Sequence, residues 1–290
     1  MKLAGCYTAL VTPFKNGVVD YEAFAHLLDA QLAGGVAGVV PVGTTGESPT
    51  LTMKEHSEVI EFAIRHCKGK CTVIAGTGAN STAEAIHLTK EAAAMGADAT
   101  LQVTPYYNKP TDEGLYRHFS EVADKCGLPV VLYNVPGRSG KEIPINVVAR
   151  LSKNPLIVAV KEAAGSVERV SAIKNVCDIT VLSGDDSLTL PMMSVGAKGI
   201  ISVASNILPA EVQRQAQLAL DGDFAGALAI HRKLYPLYKN LFLESNPVPV
   251  KAAMADLGMI AEEYRLPLCE MTAANRETLR QTLRQLGLLQ

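Results

Sequence analysis

The chain has 290 residues, 48 % of them hydrophobic and 19 % charged, which is enough apolar material for a large core and argues against disorder. Its 27 basic and 29 acidic residues leave a formal net charge of −2 with no run of five like charges, so no nucleic-acid-binding face is expected. No apolar stretch reaches the ~18 residues that span a bilayer, and the opening MKLAGCYTALVTPF lacks the apolar core and cleavage site of a secretory leader.

Short apolar, β-branched runs recur along the first two-thirds of the chain, at 5–11, 37–43, 71–77, 98–104, 129–134, 156–161, 179–184 and 198–203. Each is nearly continuously apolar rather than alternating, the pattern of strands covered on both faces in a parallel sheet. Between them lies helical periodicity. Phe24, Leu27, Leu28 and Leu32 fall on one stripe of 21–32, and Val59, Ile60 and Ala63 on one stripe of 54–67. Ser81-Thr82 and Thr111 mark helix starts, and Gly34-Gly35, Gly69 and Gly96 mark helix ends. About eight β-then-α units in succession predict an α/β fold, a (β/α)₈ TIM barrel. An open doubly wound sheet would carry a glycine-rich turn after its first strand, where this chain has Thr12-Pro13-Phe14. After Leu208 the strand signal stops, and 209–243, 247–258 and 272–288 read as helices. The expected organisation is a catalytic barrel over 1–222 and a small C-terminal helical extension over 223–290, to which no chemistry is assigned.

Six scattered cysteines (Cys6, Cys67, Cys71, Cys126, Cys177, Cys269) without a CxxC pair read as reduced, mostly buried thiols, and the protein is expected to be cytoplasmic.

In such a barrel the chemistry sits at the carboxyl ends of the strands. There the sequence places Thr44-Thr45-Gly46-Glu47, Gly78-Ala79-Asn80, Pro105-Tyr106-Tyr107-Asn108, Tyr133 to Gly140, Lys161-Glu162, Gly184-Asp185-Asp186 and Ser202 to Asn206. This rim is rich in hydroxyls and amides and poor in histidine and cysteine, which suits a small oxyanion and proton transfer better than a metal. Lys161 ends the apolar run 156–160, so its amine should face the barrel mouth. A buried amine sheds its proton more readily than an exposed one, and a neutral amine condenses with a small ketoacid to an imine. The competing reading is a structural pair with Glu162. Tyr133, also at a strand end, is a candidate proton carrier, with Thr44 and Tyr107 as hydroxyl partners; a lone phenol with an ordinary pKa near 10 is a poor base. Thr44-Thr45-Gly46 offers a carboxylate cradle, and Arg138, between Gly137 and Gly140, can bring a fork to a second carboxylate. The usual barrel phosphate site would contain Asp185 and Asp186, which disfavours a phosphorylated substrate. The histidines lie mainly in predicted helices, and the chain has no GxxxxGK[ST], HExxH or GxSxG.

Three segments in this order resemble the dihydrodipicolinate synthase family, within the N-acetylneuraminate lyase superfamily: Gly43-Thr44-Thr45-Gly46-Glu47-Ser48, Tyr133-Asn134-Val135-Pro136-Gly137-Arg138-Ser139-Gly140 and Val160-Lys161-Glu162-Ala163. The resemblance spans nearly the whole chain. It implies a class I lyase of diaminopimelate and lysine biosynthesis that condenses pyruvate, held as a Schiff base on Lys161, with L-aspartate 4-semialdehyde. It further implies that Thr45 holds the pyruvate carboxylate, that Tyr133, Thr44 and Tyr107 form a proton relay, and that Gly184 and Ile201 line the pyruvate site. Arg138 would grip the second substrate; sugar-acid lyases (N-acetylneuraminate lyase-like or 2-keto-3-deoxy sugar acid aldolases), the main alternative, lack an arginine there. A non-catalytic acid sensor on the same barrel would lack the nucleophile. No cofactor, metal, nucleic acid or membrane is implied. A homotetramer, a dimer of tight dimers, is implied, with Tyr107 supplied across an interface. Ser48, His56, Asn80, Glu84 and Tyr106 match positions that bind L-lysine as an inhibitor in sensitive members, although Met53 departs from that pattern.

Overall fold

The computed structural model describes residues 1–290. Its strands, in chain order, are β1 (Gly5–Ala9), β2 (Phe14–Lys15), β3 (Val18–Val19), β4 (Gly38–Val40), β5 (Thr72–Gly76), β6 (Ala99–Val103), β7 (Val130–Asn134), β8 (Ile157–Glu162), β9 (Thr180–Ser183) and β10 (Gly199–Ser202). Eight of them close into a parallel barrel in the order β1-β10-β9-β8-β7-β6-β5-β4. All eight lie within the apolar runs of the sequence but for Glu162, one residue past its run. β2 and β3 form a separate antiparallel hairpin over a stretch that carries no strand signal; two residues per strand are too few to show a period.

The helices are α1 (Tyr21–Ala33), α2 (Met53–Cys67), α3 (Thr82–Met95), α4 (Asp112–Cys126), α5 (Pro136–Ser139), α6 (Ile145–Leu151), α7 (Val167–Val176), α8 (Thr189–Ser194), α9 (Pro209–Leu220), α10 (Phe224–Asn240), α11 (Val248–Asp256) and α12 (Ala273–Gln285). Their starts are set by side-chain caps. Thr52 and Glu55 form a reciprocal capping box on α2, and Ser81 and Thr111 accept from backbone N–H groups of α3 and α4. Gly96 closes α3 in the left-handed conformation, while Gly34 ends α1 in a right-handed one. No helix is long and apolar enough to cross a membrane.

Strand alternation divides the core into an inner and an outer layer. Tyr7, Val40, Ile74, Leu101, Val131, Tyr133, Ala159, Leu182 and Ile201 belong to one inner cluster. Leu132 and Val160, one residue out of phase, belong to the layer between strands and helices. The C-terminal helices join a third cluster, in which Leu234, Tyr238, Val250, Met254 and Leu279 pack with Phe14, Phe24 and Val39. The thiols are less buried than the sequence suggests. Cys6 and Cys67 are buried, Cys71, Cys126 and Cys177 are half-buried, Cys269 is exposed, and all six are free.

Candidate active site

The parallel register sets Tyr133 of β7 directly beside Lys161 of β8, and both point into the barrel. Lys161 is only 5 % exposed, and its Nζ lies 4.2 Å from the centre of the Tyr133 ring. The same alternation sends Glu162 to the opposite face. There it accepts from Asn134 Nδ2 at 2.9 and 3.1 Å, Ala164 N at 2.9 Å and Arg169 Nε at 3.1 Å. The structural Lys161–Glu162 pair is thereby overturned: adjacent residues of one strand cannot both face inward, and the lysine is left without a carboxylate. Gly184, just past β9, makes room for it, since a Cβ there would sit 3.0 Å from Lys161 Cε and 2.7 Å from Ala163 Cβ. Ile201, fully buried on β10, belongs to the same inner layer.

A cavity of about 230 Å³ opens over this end of the barrel, lined by Thr44, Ser48, Tyr106, Tyr133 and Arg138 among others. Its floor on one side is the turn 42–50. Val42 and Glu47 have positive φ (57° and 55°), and a Cβ at Gly76 would lie 2.2 Å from the Val42 carbonyl, so this turn presses on the end of β5. Thr44 is half-buried and Thr45 is 3 % exposed.

The turn is braced from the C-terminal extension, a set of residues that sequence reasoning passed over. Asn246 Nδ2 donates to Thr45 Oγ1 at 3.0 Å. Its backbone carbonyl accepts from the Arg138 guanidinium at 3.1 Å. Lys251 and Glu47 form an ion pair in which both side chains are fully buried, with the ammonium 4.3 Å from the Phe14 ring centre. Burial lowers the Lys251 pKa, opposed by the Glu47 carboxylate. Arg265 donates to the Thr50 carbonyl and to both Glu55 oxygens, and stacks 4.2 Å over Phe14. The extension, to which no chemistry is assigned, thus positions the loop where the chemistry is expected. The signal in the sequence was a lysine inside the apolar helix 248–256, a position a charged residue rarely takes without a partner.

The other expected residues distribute as follows. Tyr107 is 90 % exposed with φ +71°, and does not join Thr44 and Tyr133 within one chain. Tyr106 lines the cavity, its carbonyl accepts from Asn80 Nδ2 at 3.2 Å, and burial together with the Glu84 carboxylate raises its phenol pKa. Glu84 stands in the first turn of α3. His56 is buried in α2 with Nδ1 unpartnered, and burial holds its pKa at about 4, so the ring is neutral at pH 7.

Asp186 does something other than repel. It is 2 % exposed and accepts from Ser202 Oγ at 2.5 Å, Val203 N at 3.0 Å and Ala204 N at 3.2 Å. Those N–H groups open the short 3₁₀ turn 204–206 after the last barrel strand, where barrels of this type often take a phosphate. Burial pushes the Asp186 carboxyl up to about 6 against these donors.

Comparison with known proteins agrees across the whole length. The sequence profile of the Dihydrodipicolinate synthetase family matches residues 2–286. The 4-hydroxy-tetrahydrodipicolinate synthase of Endomicrobium trichonymphae is 52 % identical over 288 residues, covering 99 % of both chains. The solved dihydrodipicolinate synthase of Acinetobacter baumannii in complex with pyruvate superimposes with a TM-score of 0.97 at 44 % identity, covering 99 % of both chains. That of Cyanidioschyzon merolae with lysine bound gives 0.95 at 42 % identity, again over 99 % of both. A closed parallel barrel with a buried lysine at its mouth and full-length likeness to these enzymes leave one assignment: the chain belongs to the dihydrodipicolinate synthetase family.

Proposed function

We propose that the chain catalyses the 4-hydroxy-tetrahydrodipicolinate synthase reaction, with pyruvate and L-aspartate 4-semialdehyde as substrates. The observation that carries this reading is Lys161, buried to 5 % exposure at the barrel mouth with no carboxylate partner and with Tyr133 against it. The Lys161 amine adds to C2 of pyruvate and water leaves, giving an imine. Loss of a C3 proton gives the enamine, which attacks the aldehyde carbon and leaves an alcohol after protonation. The amine of the second substrate then displaces Lys161 from C2, closing the ring and freeing the enzyme. One water is lost overall, and no cofactor is needed.

Thr45 holds the pyruvate carboxylate, with Gly184 and Ile201 lining the same subsite. Tyr133, Thr44 and a Tyr107 from a neighbouring subunit move the protons. Arg138 holds the carboxylate of the semialdehyde, a task that suits its planar fork. The extreme exposure of Tyr107 favours a contribution in trans; the assembly we propose for it is a homotetramer built as a dimer of dimers. The test is loss of pyruvate by purified protein, with and without L-aspartate 4-semialdehyde and without added metal. Consumption that requires the semialdehyde supports the reading. A borohydride-trapped pyruvate adduct on Lys161 without consumption would move the substrate towards sugar acids; absence of the adduct would remove Lys161 as nucleophile.

L-Lysine is proposed as a ligand of Ser48, His56, Asn80, Glu84 and Tyr106. Support comes from Ser48 and Tyr106 lining one cavity and from the Glu84 carboxylate beside Tyr106, a partner for an ammonium group. Calorimetric titration with L-lysine that gives no heat, alongside unchanged turnover, would remove this ligand.

A further inference from the structure

The C-terminal extension touches both proposed substrate grips through one residue, Asn246, using two different groups. Its carboxamide nitrogen donates to Thr45 Oγ1, and its backbone carbonyl holds Arg138. A threonine hydroxyl has one hydrogen to donate and two lone pairs to accept with. Thr45 Oγ1 already accepts from Asn246, and it has no other side-chain partner in the chain. In this orientation of the carboxamide the hydrogen of Thr45 is free to point away from Asn246. With Asn246 5 % and Thr45 3 % exposed, solvent has little access to compete for that bond.

We propose that Asn246 is a positioning residue: its carboxamide sets the Thr45 hydroxyl to donate to the pyruvate carboxylate, while its backbone carbonyl separately aims Arg138 at the second substrate. The proposal rests on the pyruvate reading above. A buried carboxamide kept for packing alone normally spends both of its ends on the protein. Here Oδ1 has no partner, and the single side-chain bond goes to Thr45. The residue is also well held, because α11 begins two residues later, is buried from Val248 to Met254, and is pinned by the Lys251–Glu47 pair.

The split between side chain and backbone makes the test selective. Asn246→Ala removes the bond to Thr45 and leaves the carbonyl that holds Arg138. It should raise by about 5- to 10-fold, the value of one hydrogen bond, both the KM for pyruvate and the pyruvate concentration that half-saturates borohydride trapping. The KM for the semialdehyde should stay within about twofold. Thr45→Val should produce a similar pyruvate defect, and adding Asn246→Ala to it should produce no further one. Equal effects on both substrates, or effects that multiply in the double variant, would overturn the proposal. Asn246→Asp keeps the shape but offers only acceptors, so the Thr45 hydroxyl turns towards it. Pyruvate affinity should then fall at least as far as with alanine, and normal affinity in that variant would equally overturn the proposal. Wild-type trapping is measured first. Its absence refutes the Schiff-base reading itself, an outcome distinct from any result with Asn246.

Discussion

Replacing Lys251 by methionine removes the cation from a pair whose two side chains are both fully buried. Glu47 is then left with one weak donor, the Arg265 backbone N–H at 3.5 Å. Breaking a buried pair in this way costs about 3–5 kcal/mol, a large part of the roughly 5–15 kcal/mol that holds a typical protein folded. The reverse change, Glu47→Gln, should cost less. The ammonium it strands still faces the Phe14 ring at 4.3 Å and the Tyr264 ring at 5.4 Å, contacts worth about 1–2 kcal/mol when shielded from water. Removing both charges together should recover most of the loss, because a buried pair is often no better than an apolar substitute of similar size. The chain has no tryptophan, so urea unfolding is best followed by far-UV circular dichroism. All variants should be compared at one protein concentration, since assembly shifts the midpoint. The half-saturating pyruvate concentration is the second readout, because the pair ties down the turn that carries Thr44 and Thr45. A cost below about 1 kcal/mol for Lys251→Met, or a double variant as unstable as the sum of the singles, would refute the reasoning.

Two further outcomes are expected. Hydrogen bonds from Arg265 hold the Glu55 carboxyl at about 2, below its ordinary 4.5, so this stabilisation is present above pH 4.5 and is lost as pH falls through 2. Both groups keep about a fifth of their exposure, which limits the effect to about 1–2 kcal/mol. Glu55→Gln should narrow the stability difference between pH 6 and pH 2.5 by that amount, and an unchanged difference in urea titrations would contradict the assignment. If Tyr107 acts across an interface, mixing subunits of Lys161→Ala and Tyr107→Phe should restore about a quarter of the sites, since half of the random pairs carry one intact site of two. Activity no higher than that of the separate variants would refute a contribution of Tyr107 in trans.

The barrel was legible because each strand is covered on both faces and so writes itself as an unbroken apolar run. Lys161 was legible because a charge that ends such a run has few other uses. What stayed hidden was long-range. Asn246 lies about 200 positions from Thr45, and Lys251 as far from Glu47; no local period connects them. Asp186 shows the same limit. Its charge suggested repulsion at an open rim, but burial and three donors make it an internal cap. The competing Lys161–Glu162 pairing fails for a local reason: adjacency in a strand means opposite faces, so the partners of Glu162 are Asn134 and Arg169 rather than its neighbour.

Asp186 also bears on what the barrel ignores. The backbone cradle after the last strands is already filled by a carboxylate of the chain itself, a resident acceptor. A phosphate seeking those two N–H groups would have to displace Asp186, so this cradle gives phosphorylated molecules no foothold.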